Sequence, residues 1–152
     1  MLSKKEFYSA ALFIAAMKKK YSIKELPILG AHNFGYHSQV LPNLMLLPWI
    51  GCQAGLTALG IQSNGGVKGC LSLPDKFIEG NIRQISLIDM WNDPDLFKYN
   101  RKFKVNDLEN KCKICRYCKR CRGGCITVSA ALTGENHCNP YCLNAIEERF
   151  QP

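Results

Sequence analysis

The spacing of nine cysteines constrains this chain of 152 residues more than any other feature. Cys52 and Cys70 stand apart, and the other seven are crowded into the stretch 112–142. Small secreted domains that are held together by disulfides usually carry an even number of cysteines. An odd number, with repeated separations of three residues, is instead typical of thiolates that face a shared metal centre. The crowded cysteines are Cys112, Cys115, Cys118, Cys121, Cys125, Cys138 and Cys142.

The formal net charge of +8 first suggests a polyanionic partner such as nucleic acid. However, many of the cations are interleaved with the cysteines, and a thiolate-ligated iron–sulfur cluster carries negative charge that such cations would offset. We therefore do not expect nucleic acid as a partner. The interleaved cations are Lys111, Lys113, Arg116, Lys119, Arg120 and Arg122.

The apolar stretch from Phe7 to Met17 follows Lys4 and Lys5 and superficially resembles a signal peptide. No clear small-residue cleavage site follows it, and Glu6 lies in the charged part. The stretch is also too short to span a bilayer. We therefore predict a cytoplasmic protein without membrane association, in a reducing compartment where thiolate ligands persist.

Local patterns predict a small α+β domain that is irregular and organised by metal. An amphipathic helix is predicted from Ser3 to Tyr21, because Ser3 and Glu6 form a capping-box pattern ahead of one apolar face. Residues 57–62 and 67–73 are predicted strands of one β-hairpin, joined by the turn sequence Ser-Asn-Gly-Gly. The hairpin would bring Cys52 and Cys70 together.

Several short helices are predicted beyond the hairpin, at 85–90, 95–100, 126–132 and 140–150. The cysteine-rich segment 111–125 is expected to lack regular structure. His32 and His37 lie in a stretch rich in proline and glycine, and we interpret them as ordinary loop histidines rather than ligands.

Two simpler metal sites are alternatives. A structural zinc site could use Cys112 and Cys115 with a second pair, which would make the chain a zinc-binding, cysteine-rich interaction module. A free-standing, ferredoxin-like electron carrier is the other alternative, because the run from Cys115 to Cys125 has the spacing C-x2-C-x2-C-x3-C. Zinc leaves many thiols unused, and Ile126 stands where such ferredoxins have proline.

A longer pattern uses more of the chain. It runs from Cys52 through Gly65-x4-Cys70 to Cys112-x2-Cys115-x5-Cys121-x3-Cys125 and a late cysteine. The flanking sequences Gly-Cys-Gln-Ala-Gly, Cys-Arg-Gly-Gly-Cys and Pro-Tyr-Cys accompany it. Over residues 50–146 this chain resembles the SPASM domain, the C-terminal auxiliary iron–sulfur domain of radical S-adenosylmethionine enzymes.

The resemblance implies two auxiliary [4Fe–4S] clusters. Cluster one would be held by Cys52, Cys70 and Cys125, and cluster two by Cys112, Cys115, Cys121 and Cys142. Cys138 competes with Cys142 for the last position, and Cys118 has no place in the family pattern. Either Cys118 or Cys138 could instead complete cluster one, or an iron of cluster one could stay open for substrate.

The cysteine triad C-x3-C-x2-C that binds S-adenosylmethionine in such enzymes is absent, because Val128 stands where a third cysteine would follow Cys121 and Cys125. We therefore expect no catalysis by this chain alone, and S-adenosylmethionine only in a complete parent enzyme. The expected partners are a radical S-adenosylmethionine barrel domain, missing or separate, a peptide substrate and a reductant protein. Residues 1–49 would be a helix and connector that follow such a barrel, and residues 50–152 the SPASM-like domain. The expected role is to relay electrons or to anchor substrate in an enzyme that matures peptides or proteins.

Overall fold

The computed structural model describes residues 1–30, 34, 37–42 and 44–148. His32 lies outside these residues. The chain divides into two compact units, one formed by residues 1–50 with 140–152 and the other by residues 51–139. Within the described part, no helix is both long and apolar enough to cross a membrane.

The first unit begins with helix α1, Lys4–Lys20, close to the bounds that the sequence predicts. The predicted capping box is present. The Ser3 hydroxyl accepts a hydrogen bond from the Glu6 amide at 3.2 Å, and the Glu6 carboxylate accepts one from the Ser3 amide at 2.7 Å. Because these bonds satisfy amides that have no partner inside the helix, they fix its start.

The apolar face of α1 packs on aromatic residues and on the last helix of the chain, α7, Leu143–Glu147. Phe7 stacks on Phe34 with 4.7 Å between ring centroids, and Tyr141 lies 4.9 Å from Phe7. The predicted terminal helix is confirmed, although it begins later, and residues 149–150 of the prediction lie outside the described residues. The buried core of this unit comprises Phe7, Ala11, Leu44, Leu143 and Ile146.

The second unit contains an antiparallel sheet in the order β1-β2-β3. Its strands are β1, Gly60–Ile61, β2, Gly66–Lys68, and β3, Gly80–Asn81, with Val67 opposite both Ile61 and Gly80. The predicted hairpin is confirmed, although both strands are shorter than expected. The third strand was not predicted, since two residues carry too little alternation to be seen in sequence.

Short helices surround this sheet: α2, Leu87–Asn92, α3, Lys98–Arg101, α4, Asn110–Ile114, α5, Cys118–Cys121, and α6, Ile126–Thr133. The expectation that 111–125 lacks regular structure was wrong, because single helical turns carry the cysteines there. Each turn is closed by local backbone bonds, such as the Cys121 amide to the Tyr117 carbonyl at 2.7 Å. Val67, Met90 and Phe97 form a buried core cluster beneath the sheet. The α+β class, with a hairpin, short helices and an N-terminal helix, is confirmed.

Candidate metal centre

All nine cysteines lie in the described residues, and none of them forms a disulfide. They differ in exposure, since Cys52 and Cys125 are buried whereas the others are half-buried. Among the described residues, no three side chains of His, Cys, Asp or Glu are grouped so that they could hold one metal ion. A four-iron cluster requires a different arrangement of ligands from a single metal ion, because each of its irons binds its own thiolate.

Cys52, Cys70 and Cys125 come from three separate segments, and the fold brings them into one electrostatic environment. Cys52 precedes the hairpin, Cys70 follows β2, and Cys125 is the residue that caps the start of α6. The negative charges of Cys125 and Cys70 both raise the pKa of the Cys52 thiol, in addition to the larger effect of burial. The three thiols that the family resemblance assigns to cluster one are therefore neighbours in the folded chain.

Two backbone amides point at the Cys52 sulfur. The amides of Ile126 and Ala54 donate to it and lower the pKa of its thiol, against the increase that burial causes. Ile126 is the first residue of α6, so this amide is one of those left without a partner inside the helix. Amide donors of this kind stabilise a thiolate, or a metal-bound sulfur, in a buried position.

Helix α3 supports the loop that carries Cys52. The Asn100 side-chain amide, only 1% exposed, donates to the carbonyls of Cys52 at 2.7 Å and Ala54 at 2.9 Å. Arg101 adds a bond from Nε to the Gly55 carbonyl at 2.8 Å. These three bonds hold the loop carbonyls on one side, so that the Cys52 side chain is fixed in orientation. Sequence reasoning missed this support, because neither Asn100 nor Arg101 belongs to a motif.

The same helix presents the buried hydroxyl of Tyr99, whose proton has no acceptor among the described residues, while the Gly69 amide faces its oxygen. The hydroxyl lies against the backbone of Gly69, and the peptide that joins Ala54 to Gly55 lies against the same glycine, because a Cβ added to Gly69 would meet both groups within 3 Å. Burial is the main cause that raises the pKa of Tyr99 well above its ordinary value, and the charges of Glu79, Cys52 and Cys70 add to it. The hydroxyl therefore keeps its proton, which finds no acceptor among the described residues.

A second set of cysteines follows the short helices α4 and α5. Cys112 lies in α4, Cys115 directly follows it, and α5 begins at Cys118 and ends at Cys121. The Tyr117 amide donates to the Cys115 sulfur at 3.4 Å. The sequence therefore places these four half-buried thiols on two consecutive helical turns that pack together.

A glycine pair separates Cys121 from Cys125. Gly123 and Gly124 both have positive φ, 73° and 88°, which other residues rarely adopt. Gly123 also packs so closely that an added Cβ would lie 2.2 Å from the carbonyl oxygen of His137. The backbone of Gly123 therefore approaches His137 closely, and the turn redirects the chain between the two cysteines.

His137 is buried beside this turn and joins two elements. Its ring nitrogens lie 2.9 Å from the Arg122 carbonyl oxygen and 2.8 Å from the Tyr99 carbonyl oxygen. Since carbonyl oxygens only accept, a ring nitrogen that carries a proton donates to the carbonyl beside it. The residue therefore links α3 to the end of the second cysteine set.

The late cysteines differ in position. Cys138 belongs to the second unit, where its amide donates to the buried Ser129 hydroxyl at 3.1 Å. Cys142 belongs to the first unit and caps the start of α7. A cavity of about 300 Å³ lies beside Cys138, with charged residues of both signs in its wall. Those residues are Lys98, Asp107, Glu109 and Glu135.

The residues around Cys52 fit an iron–sulfur cluster. They supply soft thiolate ligands, backbone amides directed at sulfur and a buried hydroxyl whose proton has no acceptor. Thiolates with amide donors are the usual surroundings of such clusters, whose potentials depend on these bonds and on burial.

Comparison with known proteins also indicates an iron–sulfur domain. The model of the SPASM iron–sulfur cluster-binding domain matches residues 52–122. Among curated proteins, an AdoMet-dependent heme synthase of Methanosarcina barkeri is 34% identical over 94 residues, which cover 61% of this chain. The match spans only 26% of that enzyme. No solved structure gives a significant match. Residues 52–122 are therefore a SPASM domain, a domain that binds iron–sulfur clusters.

Proposed function

We propose that this chain is the auxiliary iron–sulfur module of a radical S-adenosylmethionine enzyme, binds two [4Fe–4S] clusters and relays electrons or anchors substrate. Cys52, Cys70 and Cys125 are the proposed ligands of cluster one. Cys112, Cys115, Cys121 and Cys142 are those of cluster two, with Cys138 and Cys118 as further candidates. The barrel that binds S-adenosylmethionine would be supplied by another domain or chain.

The observation that carries this proposal is the meeting of Cys52, Cys70 and Cys125. Cys125 lies far from the other two in sequence, and its charge still acts on the Cys52 thiol. Bringing thiols from three segments close to one another, with Cys52 and Cys125 buried and two amides on the Cys52 sulfur, has a cost that a ligand would offset. The second unit therefore has the features of a site that is completed by a cluster.

When bound, such clusters exchange single electrons at potentials that their surroundings set. The chain's own contribution is to orient and desolvate the ligands. Asn100 and Arg101 fix the loop of Cys52, and the amides of Ala54 and Ile126 stabilise negative charge on its sulfur. The Gly123-Gly124 turn, with positive φ at both residues, separates Cys125 from Cys121 at the end of α5.

Two classes of parent substrate are proposed. The sequence resemblance favours an enzyme that modifies a peptide or protein. The similarity to an AdoMet-dependent heme synthase supports a second candidate, a tetrapyrrole. The mixed charges around the cavity beside Cys138 could bind polar groups of either substrate. The two are distinguished by measuring whether a synthetic peptide or an iron porphyrin perturbs the electron paramagnetic resonance spectrum of the reduced clusters.

The reductant is proposed to dock on an exposed basic surface around α4 and α5. The surface consists of exposed cations beside Ile114, whose side chain is 86% exposed. Cations grouped around an exposed apolar residue match an acidic redox protein, and long-range attraction would accelerate the encounter. The cations are Lys111, Lys113, Arg116, Lys119 and Arg120.

Anaerobic reconstitution tests the central proposal. We expect about eight iron and eight sulfide per chain, and a brown protein, if two [4Fe–4S] clusters are bound. A colourless protein that binds only zinc would instead establish the interaction module. Two clusters that exchange electrons rapidly with a reductase, in a chain that no barrel protein binds, would establish the free-standing carrier.

Serine variants then test the two ligand sets. Cys70→Ser should remove cluster one and leave about four irons, whereas Cys115→Ser should remove cluster two and leave the signal of cluster one. Cys118→Ser tests the further candidate Cys118, because a loss of iron in this variant would add that thiol to one of the two ligand sets. Loss of the same signal in both of the first two variants would contradict the assignment.

Charge reversal tests the docking surface. Replacing Lys113 and Lys119 by Glu should slow reduction by an acidic flavodoxin-type donor, most strongly at low salt. Reversing Lys24, an exposed cation of the other unit, is the control. Equal rates in all variants at low salt would disprove docking at α4 and α5.

A further inference from the structure

We propose that the Tyr99 hydroxyl donates a hydrogen bond to a sulfur of cluster one and thereby raises the reduction potential of that cluster. The inference rests on the proposed function, since it requires a cluster at Cys52, Cys70 and Cys125. It adds a residue that contributes no ligand and that the family pattern leaves unassigned. Tyr99 is therefore a positioning residue, which sets the reduction potential of cluster one without binding iron.

The first step is the missing acceptor. A buried hydroxyl without a partner costs about 1–3 kcal/mol, so native structures rarely retain one without a reason. Within the described residues, only a few buried side-chain atoms lack a partner, and the Tyr99 hydroxyl is one of them. A phenylalanine at this position would fill the same space without that cost.

The second step is location. The hydroxyl lies against Gly69, the residue next to Cys70, and the peptide that joins Ala54 to Gly55 lies against the same glycine. Both Cys52 and Cys70 are close enough for their charges to act on the phenol. Two of the three proposed ligands of cluster one therefore belong to the segments that surround this hydroxyl.

The third step is immobilisation. Phe77 packs edge-on against the Tyr99 ring, with 5.2 Å between centroids. The Tyr99 carbonyl lies 2.8 Å from His137 Nε2, and the next residue, Asn100, is bound to the Cys52 loop. The ring cannot turn towards solvent without breaking these contacts, so the hydroxyl stays directed at the loop.

The fourth step is chemistry. The hydroxyl remains protonated because burial and nearby negative charge raise the pKa of Tyr99. Cluster sulfurs accept hydrogen bonds, and a donor stabilises the reduced, more negative state more than the oxidised state. A bond from Tyr99 therefore makes cluster one easier to reduce, with no change in its ligands.

Substitution of Tyr99 by phenylalanine in the full, reconstituted chain tests the proposal. The expected result is a lower midpoint potential of one cluster in a titration followed by electron paramagnetic resonance, with unchanged iron content and an unchanged second cluster. Tyr21→Phe is the matched control, since Tyr21 lies in the other unit. An unchanged potential in Tyr99→Phe with both clusters present overturns the inference.

In the apo chain, which holds no cluster, we do not expect Tyr99→Phe to be harmful. Because the hydroxyl proton has no acceptor among the described residues, Tyr99→Phe should leave the apo thermal midpoint nearly unchanged, while iron is lost faster to a chelator from the loaded variant. A purely structural tyrosine would lower the apo midpoint, and that result would also refute the proposal.

A labelled wild-type protein tests the bond if the variant does not fold. Tyrosine carrying carbon-13 at Cζ should give one strong coupling to the reduced cluster in pulsed resonance spectra, and absence of that coupling would disprove the contact. Failure of the wild-type chain to bind iron would contradict the proposed function itself. Normal cluster binding, with a midpoint potential that does not depend on Tyr99, would contradict this inference alone.

Discussion

The loop around Cys52 and the pair of helices α4 and α5 both carry cysteines, but they are built in different ways. Cys52 and Cys125 are 8% and 6% exposed and come from distant segments held by α3 and α6. The thiols of α4 and α5 are half-buried and come from one continuous stretch. The first site therefore depends on tertiary structure, and the second depends on local turns.

This difference implies different responses to metal loss. A site whose ligands are brought together by buried bonds keeps much of its geometry when empty. A site formed by single helical turns has little to hold it together, because helices this short are unstable alone. We expect the apo chain to retain the surroundings of Cys52 and to lose order around α4 and α5.

Substitution of Gly123 by alanine should have the largest effect, because this residue separates the two cysteine sets. An alanine would pay the cost of φ +73° and would also clash with the His137 carbonyl. We expect a loss of about 2–5 kcal/mol in unfolding free energy and a failure to load both clusters. Thermal unfolding and iron content provide the measurements.

Gly134→Ala is the matched control, because Gly134 has φ +80° with nothing within 4 Å of an added Cβ. It should cost only the backbone strain of about 1–2 kcal/mol and leave both clusters in place. Equal effects of the two substitutions would show that the close approach to His137 has no special importance.

Asn100→Ala should reduce the loading of cluster one and leave the loading of cluster two unchanged. It removes two buried hydrogen bonds to the Cys52 loop, which should cost about 1–3 kcal/mol. Asn81→Ala removes two exposed bonds, one to the Asn64 carbonyl and one from the Arg83 amide, and is the control, with a smaller expected loss because solvent replaces exposed bonds. If the control loses cluster one as readily as Asn100→Ala, the loop does not depend on α3.

The rate of alkylation in the apo chain should differ between the thiols of the two sites. Burial, the largest cause, raises the pKa of Cys52, so this thiol should react more slowly than Cys115 or Cys118 and require a higher pH. The same shift favours the neutral thiol in the fold, so its contribution to stability is lost as pH rises above about 8.5. Mass spectrometry after timed labelling at several pH values gives the order, and faster reaction at Cys52 would contradict it.

Substitution of Asp95 by asparagine should have the smallest effect. Lys102 and Lys98 lie 2.7 and 3.0 Å from its carboxylate and lower the pKa of Asp95 to about 2. The ion pairs favour folding above the ordinary carboxyl pKa, and that contribution disappears as pH falls towards 2. Because the group is exposed, solvent screens it, and both clusters should load normally. A nuclear magnetic resonance titration checks the pKa.

Sequence predicted the features that depend on local chemistry. The capping box of α1 and the turn of the hairpin both follow from residue type and spacing. The proximity of Cys70 to Cys52 follows from the hairpin. The short turns of α4 and α5 were missed, because a dense run of ligands hides weak helical periodicity.

The support around cluster one could not be predicted. Phe97, which starts α3, has φ 55°, a left-handed conformation that is uncommon for phenylalanine, and its full burial against Gly55 and Met90 stabilises it. That conformation directs Tyr99 and Asn100 towards the Cys52 loop. Nothing in the residues near Phe97 indicates such a turn, because the contacts that favour it come from distant segments.

The short passage from Cys121 to Cys125 has a consequence for electron flow. Four residues of extended chain reach at most about 14 Å, and a passage through two consecutive glycine turns reaches less. On the proposed ligand sets, this connection keeps the two clusters near neighbours whatever else the protein does. An electron could then pass directly from one cluster to the other. The cluster at the exposed helices α4 and α5 would be reduced first, and the cluster at the buried Cys52 would receive the electron in a second transfer.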